Sequence, residues 1–167
     1  GSRMTRYVIA AYVENKYGVL ARVTGMFMRK GFNIDSLTVG ETENPAYSRI
    51  TITLEGDDYA REQLIYQLQK LHNVKNVVLM ESEGVERELM LIKVRNTPEN
   101  RHEGLSAAEI DRGKILDYTT DILCVEVTGA PAKINAFVEV MKPLGILEMC
   151  RTGVVALERG RTLTQNE

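Results

Sequence analysis

The chain has 167 residues, 44% of them apolar and 26% charged, with a formal net charge of −2; that length allows one ordinary domain or two small ones, and the composition excludes a disordered chain. Basic and acidic residues number ten and ten in positions 1–83 and eleven and thirteen after that, so neither half is basic enough to point to nucleic acid. The longest apolar runs fall far short of the ~20 residues of a membrane helix.

Gly1-Ser2-Arg3 ahead of Met4 reads as an expression scar and is set aside, and no signal peptide follows Met4. Tyr7 to Glu14 reads as a strand, apolar on both faces and therefore central. Val19 to Lys30 reads as a helix in which Val19, Val23, Met26 and Phe27 share one stripe. Gly18 stands at the junction, where a glycine lets backbone come close to a ligand. The first-turn amides beyond it favour an anion such as a carboxylate. Gly31 stops the helix, and Asn33, fifteen residues after Gly18, lies on the loop at its far end. Asparagine carries both a donor and an acceptor, so it suits either end of an amino-acid zwitterion.

Ile34 to Glu41 is a second strand, and Glu43-Asn44-Pro45 marks a turn. From Tyr47 to Leu54 the pattern alternates, with Ile50, Ile52 and Leu54 on one face and Arg49, Thr51 and Thr53 on the other. Gly56-Asp57-Asp58 breaks this strand and offers a helix cap. Ala60, Leu64, Leu68 and Leu71 then line a helix over about Tyr59 to Lys70, and Val74 to Met80 is a fourth strand. This is the βαββαβ, ferredoxin-like order, in which two helices cover one sheet face and the other stays polar or open to a partner. The acidic run Glu81, Glu83, Glu86 and Glu88 reads as a solvated linker, with a domain boundary between 83 and 84.

The second half repeats the scheme: a strand over Leu89 to Val94, a polar helix over Glu103 to Arg112 with Leu105, Ala108 and Ile110, and strands at Lys114 to Thr119 and Ile122 to Thr128. Pro131 opens a helix whose core face is Ile134, Phe137, Val138 and Met141. Ile146 to Leu157 holds the last strand or strands, and 161–167 is a polar tail. The fold class is therefore α+β, with two ferredoxin-like domains over 4–83 and 84–160. Each is small for an independent core, so self-association is expected.

Catalytic groups are scarce. His72 and His102 have no Cys or second His at metal-ligand spacing, and no glycine-rich phosphate loop is present. No catalytic residue and no metal site are expected. Cys124 and Cys150 form no disulfide framework, and a reducing cytoplasm fits them best.

Glu14-Asn15, Gly18-Val19-Leu20-Ala21-Arg22-Val23, Phe27 and Arg29-Lys30-Gly31-Phe32-Asn33-Ile34-Asp35-Ser36-Leu37-Thr38-Val39 closely resemble the ACT domain of the acetohydroxyacid (acetolactate) synthase regulatory subunit. Val85-Glu86-Arg87-Glu88-Leu89-Met90-Leu91-Ile92-Lys93-Val94, Arg112-Gly113-Lys114-Ile115-Leu116-Asp117 and Arg151-Thr152-Gly153-Val154-Val155-Ala156-Leu157 resemble the same family. The resemblance implies a regulatory chain without cofactors of its own. Its partner would be a catalytic large subunit carrying thiamine diphosphate (ThDP), Mg and FAD. It implies activation of that subunit and feedback inhibition by valine, leucine or isoleucine. It further implies a homodimer in which ACT domains pair side by side, with effector at their interface. The family's effector positions match Asn15, Gly18 and Asn33, while Val19, Leu20 and Ile34 are placed either to touch the effector side chain or to fill the core. Two rival readings are a stand-alone ACT-type amino-acid sensor for another enzyme or a transcription system, and a small ferredoxin-like enzyme.

Overall fold

A computed structural model describes residues 4–80 and 84–163. Gly1-Ser2-Arg3, the linker residues Glu81 and Glu83, and the last four residues of the expected tail lie outside the described residues.

The first sheet is built from β1 (Thr5–Glu14), β2 (Ile34–Glu41), β3 (Tyr47–Gly56) and β4 (Val74–Leu79), with α1 (Val19–Lys30) and α2 (Asp58–Gln69) between them. All its pairings are antiparallel, in the order β2-β3-β1-β4. β1 is central, which explains its lack of a polar face: Val8, Ile9, Ala10 and Ala11 are all buried. Ile9, Ala11 and Val13 face the helices with Ile50, Ile52 and Leu54 from β3, and meet Val19, Val23, Met26 and Phe27 of α1 and Leu64 and Leu68 of α2. α1 ends at Gly31, in the left-handed region at φ 69°, whose N–H returns to the Phe27 carbonyl. α2 is capped by Asp57, whose carboxylate accepts from the Ala60 N–H at 2.8 Å.

The opposite sheet face departs from expectation. Thr51 and Thr53 are buried, and Val8 and Ala10 form a second cluster with Met80 and Ala156. The cause is the chain's own return. Those described residues that run up to Val85 and those from Val154 onward form one compact unit, and Glu86–Gly153 forms the other. Arg49, expected to meet a partner or water from this face, instead donates from Nη2 to the Ala156 carbonyl at 2.7 Å. Burial there pulls its pKa down.

The second unit has the same antiparallel strand order, β6-β7-β5-β8. It comprises β5 (Val85–Arg95), α3 (Arg101–Ile110), β6 (Lys114–Tyr118), β7 (Ile122–Gly129), α4 (Pro131–Met141), a 3-10 turn (Lys142–Leu144) and β8 (Ile146–Arg151). A short strand β9 (Val155–Leu157) follows in the stretch that belongs to the first unit. Met90, Ile92 and Val94 of β5 and Leu123, Val125 and Val127 of β7 pack on Ile134, Phe137, Val138 and Met141 of α4.

Two expectations fail in this unit. Glu88 is not in a solvated linker: it lies in β5, two residues before Met90, so period-two alternation turns it to the core side. It is 5% exposed, and Arg151 holds both its oxygens, Nε to Oε1 at 2.6 Å and Nη2 to Oε2 at 2.8 Å. Ile110, expected with Leu105 and Ala108 on the helix's apolar positions, is 79% exposed. It lies roughly 110° around α3 from the middle of the buried stripe Gly104, Ala107 and Ala108, at about 100° per residue.

Candidate functional site

After Glu14, three residues carry the chain from β1 to Gly18, which caps α1 at φ 83°, ψ −5°. This is the left-handed region, where a residue other than glycine is strained. No side chain caps the helix, and its first turn holds no acidic residue. The Val19 N–H reaches the Lys16 carbonyl at 3.3 Å, and the Arg22 N–H reaches that of Gly18 at 3.1 Å. Leu20 and Ala21 are left as first-turn donors with no backbone acceptor among the described residues. A positive partial charge therefore gathers beside Gly18, as an anion requires.

Asn15 stands on the other side of this turn. Its Nδ2 donates to the Pro45 carbonyl at 3.2 Å and to Glu41 Oε1 at 3.4 Å, and its N–H donates to the Ala46 carbonyl. Its Oδ1 accepts from none of the described residues, so an acceptor remains. Leu20 is 45% exposed beside the free amides, whereas Val19 is buried in the core and Ile34 packs partly against it.

Asn33 is elsewhere. Its carbonyl accepts from the Glu55 N–H, and its exposed side chain bonds to none of the described residues. The strand register shows the separation. Glu14 pairs with Tyr47 at one end of β3, while Ile34 pairs with Leu54 at the other. The intervening strand spans on the order of 20–25 Å at about 3.4 Å per residue. Within one chain, Asn15 and Gly18 come together and Asn33 does not join them.

The structure adds a network the sequence does not signal. Glu14 receives Lys16 at 2.9 Å, Lys75 at 3.1 Å and the Asn73 Nδ2 at 3.1 Å. Arg22 Nη2 donates to Asn73 Oδ1 at 2.6 Å. The members come from three segments, joined because the Val13–Val74 pairing sets the start of β4 beside the end of β1. Lys16 first, then Lys75 and Asn73, hold the Glu14 carboxyl down from 4.5 to about 2. A carboxyl depressed in the folded state stabilises it above the unfolded pKa, and that contribution fades as pH falls from 4.5 towards 2. Glu14→Gln should therefore flatten the fall in melting temperature over that window while changing little of the slope above pH 6. A Gln variant whose pH–melting curve keeps the parent's shape would remove Glu14 from the acid response.

Among the described residues, no three His, Cys, Asp or Glu side chains are grouped to hold a metal, and no helix is long and apolar enough to cross a membrane.

Comparison with known proteins bears on the whole chain. Residues 9–76 match the model of the AHAS small subunit-like ACT domain, and 87–160 match that of the small subunit of acetolactate synthase. A probable acetolactate synthase small subunit of Archaeoglobus fulgidus is 50% identical over 155 residues, covering 93% of this chain and 98% of its own length. The acetolactate synthase small subunit of Aquifex aeolicus is 44% identical, covering 99% of this chain and 87% of its own. The crystal structure of the acetolactate synthase small subunit from Thermotoga maritima superposes with a TM-score of 0.86 at 40% identity, over 95% of this chain and 99% of that one. With both sheets, both family models and relatives spanning nearly the full length in agreement, this chain belongs to the acetolactate synthase small-subunit family.

Proposed function

We propose that this chain raises the activity of a ThDP-dependent catalytic large subunit of acetolactate synthase and makes it subject to feedback inhibition by a branched-chain amino acid, valine first. The observation that carries the reading is the division of the candidate site between the two ends of one edge strand. β2 is the outer strand of its sheet. Asn15 touches Glu41 at one end of β2, and Asn33 adjoins Ile34 at the other. Two copies joined edge to edge across a two-fold axis must run their β2 strands antiparallel. Each Asn33 then meets the partner's Asn15 and Gly18.

In such a pocket the effector carboxylate takes the free amides of Leu20 and Ala21, and its ammonium takes Asn15 Oδ1. Asn33 of the paired chain completes the grip, and Leu20 borders the aliphatic side chain. The ligand bridges two chains and biases their mutual orientation. Inhibition requires that valine bind the inhibited holoenzyme more tightly than the active one, since equal affinity shifts nothing. A coupling of ~1–3 kcal/mol is enough.

The test is acetolactate formation by the purified cognate large subunit, alone and with this chain, with and without millimolar valine. Stimulation that valine reverses is expected. Valine binding without stimulation would overturn the regulatory-subunit reading in favour of an ACT-type sensor serving another system.

A further inference from the structure

We propose that Asn73 is a positioning residue for the effector site and that Arg22, which it holds, determines specificity for a carboxylate. This rests on the effector reading above. Asn73 is 5% exposed, and its amide is used at both ends: Nδ2 donates to Glu14 at the end of β1, and Oδ1 accepts from Arg22 in the first turn of α1. Its carbonyl also accepts from the Glu14 N–H at 2.8 Å. One buried side chain thus spans the two segments that flank Gly18 and fixes the distance between them.

The chemistry of the choice is in the charges. Three cations belong to the network, Lys16, Lys75 and Arg22. The two lysines are paired with the Glu14 carboxylate. Arg22 is held by a neutral amide oxygen, with no carboxylate partner among the described residues, so its charge is not cancelled. That charge is also near the pocket. A Cβ built on Gly18 would lie 3.6 Å from Arg22 Nη1. An asparagine at 73 therefore orients the guanidinium without neutralising it, whereas an aspartate of the same shape would neutralise it and set a second carboxylate against Glu14. A fixed cation beside the free amides favours an effector that carries a carboxylate over its uncharged counterpart.

The experiment is titration calorimetry of the full-length chain with valine and with valinamide, which keeps the ammonium and side chain and lacks the negative charge. The unaltered chain should bind valine more tightly than valinamide. Asn73→Asp, which cancels the Arg22 charge and also gives up the donation to Glu14, should weaken valine at least about tenfold and valinamide distinctly less, so the ratio of the two affinities falls. Arg22→Gln, at an exposed position that carries little packing, should collapse the ratio in the same way, and Arg22→Lys should restore much of it. A merely structural role would weaken both ligands alike and keep the ratio. If both Asn73→Asp and Arg22→Gln retain the parent ratio, the proposal is overturned. If the unaltered chain binds neither ligand, the effector reading itself fails, and the proposal falls with it.

Discussion

Gly18→Asp should raise the valine concentration for half-inhibition of the holoenzyme at least about 100-fold, a change of ~3 kcal/mol, while leaving activation of the catalytic subunit nearly intact. Backbone strain is the smaller part of the effect. At φ 83° a non-glycine residue is strained, but aspartate is among the residues that tolerate the left-handed region best. The larger part is charge. The new carboxylate is tethered beside the free first-turn amides and Arg22 Nη1, so it takes the ligand's place at an effective concentration that dissolved valine cannot match. Gly18→Ala separates the two contributions, because it adds the strain without the anion and should shift inhibition much less. Inhibition curves on reconstituted holoenzyme measure both. A Gly18→Asp holoenzyme with the parent's valine response would end the assignment of the pocket to this turn.

Arg151→Ala should cost the fold about 3 kcal/mol, read as a drop in the urea midpoint at neutral pH with the slope unchanged. Glu88 lies under the second sheet at 5% exposure, and Arg151 satisfies both of its oxygens while also donating to Asn135 Oδ1 at 2.9 Å. Removing the arginine leaves a buried carboxylate without its counter-charge, a far worse state than an apolar pair would be. The estimate sits at the low end of the ~3–5 kcal/mol for broken buried pairs because the arginine side chain is 30% exposed and water can enter. Replacing both residues with apolar ones should recover much of the loss. An Arg151→Ala midpoint shift equivalent to under ~1 kcal/mol would mean that water screens the pair and that it matters little.

What could be read from the residues was whatever repeats at short range. The stripe Val19, Val23, Met26 and Phe27 and the alternation Ile50, Ile52 and Leu54 reach the core as their periods require. Gly18 stood out because a strand pattern ended and a helical one began around it. Glu88 was misread because a run of acidic residues suggests solvent, and its place one alternation step before Met90 carried the opposite information. The buried faces of Thr51 and Thr53 were illegible for a different reason. Polar side chains in alternation normally mean an open face, and nothing local announces that Ala156, some hundred residues later, joins the cluster on that face. The Glu14–Asn73–Arg22 network is likewise a product of the β1–β4 pairing, with its ends 59 positions apart in sequence.

On the function proposed above, the distance between Asn33 and Gly18 along β3 would also tie sensing to abundance. Under the proposed edge-to-edge pairing, a lone chain would hold two halves of different pockets and no whole one, so effector binding and self-association would draw on the same equilibrium. Ligand would promote pairing, and pairing would create the ligand's affinity, in proportions set by mass action. Diluted below the dissociation constant of the pair, the protein would lose its response with every residue intact. The threshold at which synthesis is throttled would then depend on how much of the regulator has been made as well as on how much amino acid has accumulated.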